Sequence, residues 1–286
     1  MKKIILSFLF ICLSALAADK KVILVAGKDS HRYGDHEFRA GCHLLAKKLN
    51  ASGLGIKATV VEERNWPKDL KVFDEADSII IYSDGFKKHP FKTKSLFDYF
   101  VGLVKKGKGI GFLHYACEVE KSNGKYMNGM VGGFYERLYS VNPHWVCSSI
   151  LNKDSALTNG VKNFNIKDEW YFNIRLNDKV TPVLQGIPDK KARSGNSTYP
   201  RGALKHIVDA EGRKETLLWT HVAKSGSKGF GFTGGHYHAN WKNDDFRKFI
   251  LNAIAWSAGV EVPKEGLSSA TPSKEEMEAN MKAKKK

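Results

Sequence analysis

Apolar and polar positions alternate along this chain in two distinct rhythms. In the first half, Lys20–Gly27 (KKVILVAG), Gly55–Glu63 (GIKATVVEE), Ser78–Asp84 (SIIIYSD) and Gly109–Glu118 (GIGFLHYACE) are short, nearly continuous apolar runs bounded by glycine or polar residues. Such runs predict strands buried on both faces. Between them, Phe38, Cys42, Leu45 and Leu49 recur at helical spacing, as do Leu96, Phe97, Phe100, Val101 and Val104. Strands alternating with amphipathic helices predict a three-layer α/β fold with a mainly parallel sheet. The middle of the chain changes character. His144–Leu151, Glu169–Leu176, Thr181–Ile187 and Thr216–Ala223 read as strands without long helices between them, hence an antiparallel extension of the sheet. Lys190–Gly202 reads as a long loop. The pattern then returns: an apolar run ends at Gly234-Gly235, and Asn243-Asp244-Asp245 opens a helix with Phe246, Phe249, Ile250, Ala253 and Ile254 on one face.

The chemistry sits where these runs stop. The segment after Gly27 carries His31, His36 and Glu37. The run from Gly109 ends in His114, Tyr115 and Glu118, and the last run is followed by His236, His238 and Trp241. Ligands bind open α/β sheets outside the carboxyl ends of the strands, so these histidines are expected on one edge. His236-x-His238 on an extended segment would point both imidazoles the same way. His36, His114, His236 and His238, with Glu37 or Glu118, form a ligand set that admits a divalent metal such as zinc. Metal-free acid–base histidines account for the same residues equally well. Trp170 and Tyr171, in the run Asp168-Glu169-Trp170-Tyr171, are placed with Trp241 as a sugar-facing rim, and Asp168 and Glu169 add further carboxylates.

The ends of the chain read differently. Met1-Lys2-Lys3, the apolar run Ile4 to Leu13 and Ala15-Leu16-Ala17 form a cleavable leader, so residues 1–17 are expected to be removed and the chain to be periplasmic or secreted. The apolar run is too short for stable membrane insertion. Residues 18–263 read as one α/β domain. Residues 264–286 read as a basic, flexible tail, in which Lys274 to Lys282 is at most a short helix without an apolar face. The formal net charge is +16, but the lysines are scattered in pairs and no nucleic-acid-binding module accompanies them. Beyond the leader, Cys42, Cys117 and Cys147 are odd in number and form no C-x-x-C pair, which leaves at least one free thiol.

AGKDSHRYGDHEF, GIGFLHYACE, DEWY and GFGFTGGHYHANW followed by FRKFILNAIAWSAGVEVP together resemble the ThuA-like (trehalose-utilisation) family, from about Lys20 to Pro263. The resemblance implies a flavodoxin-related fold of the class I glutamine-amidotransferase-like type, and the handling of sugars, in particular disaccharides or their keto forms. Amidotransferases of this fold place a nucleophilic Cys on the elbow after a strand and an H-x-E pair later. Here the elbow reads Leu113-His114-Tyr115-Ala116-Cys117 and the late pair is His236-x-His238, so amidotransferase chemistry is not expected.

Two functional classes remain open at this point. The first is a sugar-active enzyme that performs hydrolysis, elimination or isomerisation of a glycoside or keto-glycoside. Its catalytic candidates are His114, Glu118, His236 and His238, and its substrate-binding candidates are His31, His36, Glu37, Tyr115, Trp170, Tyr171 and Trp241. The second is a carbohydrate-binding protein without turnover. In both, the partner is a small carbohydrate. Oligomeric state is not legible from the sequence.

Overall fold

The computed structural model describes residues 19–63, 66–67, 69–195 and 203–284. The leader at residues 1–17 lies outside the described residues, as do residues 196–202 of the expected loop and residues 285–286 of the tail. The strands are β1 (Lys20–Ala26), β2 (Ile56–Glu62), β3 (Ser78–Tyr82), β4 (Gly109–Leu113), β5 (Gly133–Phe134), β6 (His144–Ser148), β7 (Ile150–Leu151), β8 (Asn165–Glu169), β9 (Arg175–Leu176), β10 (Val180–Gly186), β11 (Glu215–Val222) and β12 (Lys228–Phe232). The α-helices are α1 (Phe38–Asn50), α2 (Lys94–Lys105), α3 (Gly124–Met130), α4 (Lys190–Arg193), α5 (Lys205–Val208), α6 (Asp244–Ser257) and α7 (Lys274–Glu278).

The main sheet has the order β2-β1-β3-β4-β12-β11-β10-β7. Its first five strands are mutually parallel, and β11, β10 and β7 add the antiparallel extension. Side chains alternate across a strand, so β1 divides its residues between two cores. Val22, Leu24 and Ala26 pack with α1 and α6, whereas Ile23 and Val25 pack with the α2 side. Burial on both faces is why β1, β3, β4 and β12 read as apolar runs, whereas β2, at the sheet edge, is not buried on both faces as its sequence predicts: Lys57 and Thr59 are exposed. The middle of the chain is more divided than its sequence predicts. Only β7, β10 and β11 join the main sheet, while β6 pairs with β8, and β5 with β9, as separate two-stranded ribbons. The expected strand Glu169–Leu176 is broken, because β8 ends at Glu169 and β9 is only Arg175–Leu176.

The C-terminal segment also departs from expectation. Residues 264–284 are not a solvated tail. Asn252 holds the Leu267 amide, Arg247 donates to the carbonyls of Ser269 and Ala270, and Ser273 and Glu276 form a capping box on α7. Met277 is buried, and Glu276 pairs with Lys47 and Lys48 of α1. The charged composition hides this docking because a few buried apolar side chains, Leu267 and Met277 among them, and a few ion pairs carry it. No helix among the described residues is long and apolar enough to cross a membrane.

One buried base away from the sheet edge gives the fold an acid-labile point. His89 is packed against Phe91, Phe97 and Phe112, and burial lowers its pKa from 6.5 to about 3. The unfolded chain therefore binds a proton that the folded chain refuses between these two values. Stability from this group is complete above pH 6.5 and falls as pH drops, by about 2 kcal/mol at pH 5. Urea unfolding from pH 7 to pH 4.5 should show this fall, and His89→Leu should flatten that part of the profile.

Candidate active site

The parallel strands deliver three histidines to one point. His36 enters α1 from the loop after β1, His114 follows β4 directly, and His236 follows β12. His31, His36 and His114 all have positive φ, 64°, 48° and 55°. Left-handed backbone is costly for such residues and concentrates at functional sites. Gly235, at φ 106°, turns the chain after β12, and a Cβ at Gly234 would collide with the Trp170 ring. Asp168 then fixes the turn by accepting the amides of Gly235 and His236 and the side chain of Asn240.

His36 Nε2 lies 3.0 Å from His114 Nε2 and 3.0 Å from His236 Nδ1. Glu169 Oε2, at the end of β8, lies 3.0 Å from His236 Nδ1 and 3.5 Å from His114 Nε2. One ligand atom from each of the four residues lies within 4.8 Å of every other, and all four residues are buried. Tyr171 Oη sits 3.4 Å from both His114 Nε2 and Glu169 Oε2.

The outer contacts assign the ring protons. His36 Nδ1 faces Asp84 Oδ1 at 2.9 Å, so it carries the hydrogen and leaves Nε2 as a lone pair. His114 Nδ1 faces the Thr233 carbonyl at 3.0 Å, which leaves its Nε2 as a lone pair too. His236 Nε2 faces Asp35 Oδ2 at 3.5 Å, which directs Nδ1 inward. Burial, and then the neighbouring imidazoles, hold His36 well below the usual histidine range, and burial and His36 do the same to His114. Burial works against charge on His236 as well, but its hydrogen bond to Glu169 and the nearby carboxylates win, so its pKa is raised. Burial likewise opposes ionised Glu169, and His236 outweighs it, so that carboxylate stays below its usual range.

Two neutral lone pairs 3.0 Å apart, His36 against His114, cannot hydrogen-bond to each other. A cation held between them would satisfy both. Tetrahedral zinc with N and O ligands at about 2.0–2.1 Å has ligand edges of about 3.3 Å, close to the spacing here. Asp84, the Thr233 carbonyl and Asp35 would then be the outer groups that orient the ligating imidazoles. A second group, His31, His36 and Asp84, shares His36 with the first, and Ser30 Oγ already bridges its members.

A family model described as trehalose utilisation, ThuA, matches residues 21–257. The chain belongs to the ThuA family. Among solved structures, a ThuA-like protein from Bacteroides uniformis is similar at 15% identity and a TM-score of 0.58, covering 85% of this chain and 93% of that one. A ThuA-like protein from Parabacteroides merdae gives 15% identity and 0.55, covering 88% and 96%. A beta-galactosidase from Bacillus circulans gives 11% identity and 0.50, covering 85% of this chain but 32% of that longer one. At these identities the likeness shows the fold alone. No curated protein matches.

Within this member of the ThuA family, the sequence candidates separate. His36, His114 and His236 converge, with Tyr171 beside them. His31 lies against His36 with ring centroids 3.8 Å apart and the rings tilted by 47°, and is exposed. Tyr115 is half-buried, with its ring 6.0 Å from that of His36. Glu118 is not in the cluster; it pairs with Arg137, and burial raises its pKa to about 7 against that pairing.

Four candidates need correction. His238 points away from the cluster, its Nε2 donating to the Met277 carbonyl at 2.8 Å, because the chain has already turned into a 3-10 helix over His238–Lys242 and period-two alternation no longer applies. Glu37 is buried at the start of α1, accepting the Gly34 and Lys282 amides. Trp170 and Trp241 are fully buried core residues, Trp170 against Phe232 and Phe246, Trp241 against Tyr82 and Phe246. Trp170 and Trp241 have no exposed face to offer a sugar.

The site also contains residues outside the predicted set. Glu169 supplies the carboxylate, Asp84 orients His36, and His144 stands at the rim opposite Glu169 in the β6–β8 ladder. His144 Nδ1 is 3.0 Å from Tyr237 Oη, and its Nε2 is 3.9 Å from Glu169 Oε1. Cys117 is buried, contacts the Phe112 carbonyl, and burial raises its pKa to about 12. A thiol so protonated is a poor nucleophile. Cys117→Ala should therefore keep wild-type turnover within about twofold, and steady-state kinetics of the folded variant would check it.

Proposed function

We propose that this protein is a carbohydrate-active enzyme whose cluster of His36, His114, His236 and Glu169 holds a divalent cation of the zinc type. The observation that carries this reading is the convergence of the inward lone pairs of His36 and His114 with Nδ1 of His236 and the Glu169 carboxylate, each imidazole backed by an outer partner that fixes its orientation. The family's description as trehalose utilisation supports a sugar as the substrate class.

When bound, such a cation acts as a Lewis acid toward a carbonyl or hydroxyl oxygen. The chain's own groups then handle protons. His144 is half-exposed, and burial, opposed by Glu169, lowers its pKa, so it is a neutral base at pH 7 facing the solvent side of Glu169. Tyr171 can hold a hydroxyl hydrogen at the cluster. A polar cavity of about 470 Å³, lined in part by Ser30, His31, Glu63, Asp84 and Lys88, adjoins His31 and Asp84 and falls in the size range of small-molecule sites. Its mixed acids and lysines suit sugar hydroxyls. Together these groups support hydrolysis, elimination or isomerisation of a glycoside or keto-glycoside by acid–base chemistry. The leader pattern at residues 1–17 supports export, which N-terminal sequencing of the recovered protein would check.

Metal analysis of the purified protein, followed by turnover assays on oxidised and unoxidised disaccharides before and after chelation, tests the reading. About one zinc-type ion per chain, with turnover lost on chelation and restored by the ion, is the expected result. Turnover indifferent to chelation would favour metal-free acid–base histidines. Binding of the sugars without turnover would favour the carbohydrate-binding class.

A further inference from the structure

We propose that Lys282, from the C-terminal segment, is a positioning residue that fixes the loop of residues 28–37 and thereby His36; it rests on the cation reading only for what His36 is positioned to hold. The loop places His31, Gly34 and His36 in left-handed backbone within six residues. That path turns the carbonyls of Ser30 and Asp35 toward a common point, where loop backbone offers them no donor. Lys282 Nζ donates to both, at 2.5 and 2.6 Å, and lies 3.6 Å from the carboxylate of Glu37. The Lys282 amide donates to the other Glu37 oxygen at 2.9 Å. The ammonium gives a hydrogen to each carbonyl and stands as a cation beside a buried carboxylate that needs one, so one side chain answers both demands.

The two residues whose carbonyls it holds are those that touch the cluster. Ser30 Oγ lies 3.0 Å from His36 Nδ1 and donates to Asp84, while Asp35 Oδ2 faces His236 Nε2. Between them, the His36 amide donates to the His236 carbonyl at 3.0 Å. Lys282 can act as a fixed post because the segment before it is docked: the Met277 carbonyl accepts from His238, and Glu276 pairs with Lys47 and Lys48. This gives His238 a role in the molecule, as the clamp of the segment that carries Lys282. Groups that orient metal ligands typically contribute ten- to a hundredfold in affinity.

The test replaces Lys282 by Cys and then rebuilds the ammonium with bromoethylamine, which gives a side chain of nearly lysine length. Cys42, Cys117 and Cys147 are buried and are spared by the reagent in the folded protein. Lys224→Cys, at an exposed position in the turn after β11 and modified in the same way, is the control. Amide exchange at His36 and Gly34 in metal-free protein should quicken tenfold or more in Lys282→Cys. The zinc dissociation constant should rise ten- to a hundredfold. Aminoethylation should restore both, and the control should change neither. Unchanged exchange at His36, or a change that aminoethylation does not reverse, would overturn the proposal. If the wild-type chain binds no zinc, the cation reading fails and the exchange measurements alone decide the role of Lys282. If it binds zinc and exchange in Lys282→Cys is unaltered, the role of Lys282 fails and the cation reading stands.

Discussion

His36→Asn should weaken zinc binding by about a hundred- to a thousandfold while leaving the chain folded. His36 is the ligand whose Nε2 lies 3.0 Å from both other inward nitrogens, so its loss opens one side of the cluster. Structural zinc contributes roughly 10–16 kcal/mol over four ligands, or about 2.5–4 kcal/mol for each, which gives the expected range at about 1.4 kcal/mol per tenfold. Asn is the replacement of choice because it tolerates the left-handed backbone that His36 adopts and keeps a donor for Asp84. In metal-free protein the same change removes the opposed lone pairs of His36 and His114. The melting temperature should therefore fall far less without zinc than with it. Competition titration against a chromophoric chelator and paired thermal melts would check both numbers. Wild-type zinc affinity in a folded His36→Asn chain would end the four-residue site.

The histidines were legible in the sequence because parallel strands buried on both faces announce their ends, and ends at one edge must share a cleft. His36, His114 and His236 each follow such a run. Asp84 could have been found in the same way, since it closes the run Ser78–Asp84. Glu169 was harder to place. It ends β8, a strand of a separate two-stranded ribbon, and no rule of the parallel sheet aims that ribbon at the cleft. The aromatic beside it misled for the same reason: Trp170 looks like a rim residue in sequence but fills the space left above Gly234. His238 defeats the period-two rule because the extended segment after Gly235 is too short, turning into a 3-10 helix at His238 itself. The C-terminal segment was misread from its lysines. Composition reports average solvation, whereas docking here depends on Met277, Glu276 and Lys282 individually.

Glu169→Gln should lower turnover by roughly a hundred- to ten-thousandfold on whichever disaccharide proves active, with kcat falling more than KM rises. Gln keeps the length of Glu and can still meet Asn142 and Tyr171, so the loss reports the charge rather than the shape. That charge carries two burdens. It is the anionic member of the proposed ligand set, and it is the partner that raises the pKa of His236 against burial. Removing it leaves burial unopposed by its nearest carboxylate, so the pKa of His236 in metal-free protein should move down. Histidine-resolved NMR titration of wild type and Glu169→Gln would read that shift without any substrate. Glu118→Gln is the matched comparison, because Glu118 is an equally buried carboxylate paired with Arg137 outside the cluster. It should leave the His236 titration in place and zinc affinity within a few-fold of wild type. Equal effects of the two substitutions on zinc affinity and on His236 would mean that Glu169 has no special place in the site. A Glu169→Gln chain with full turnover would remove the carboxylate from the chemistry altogether.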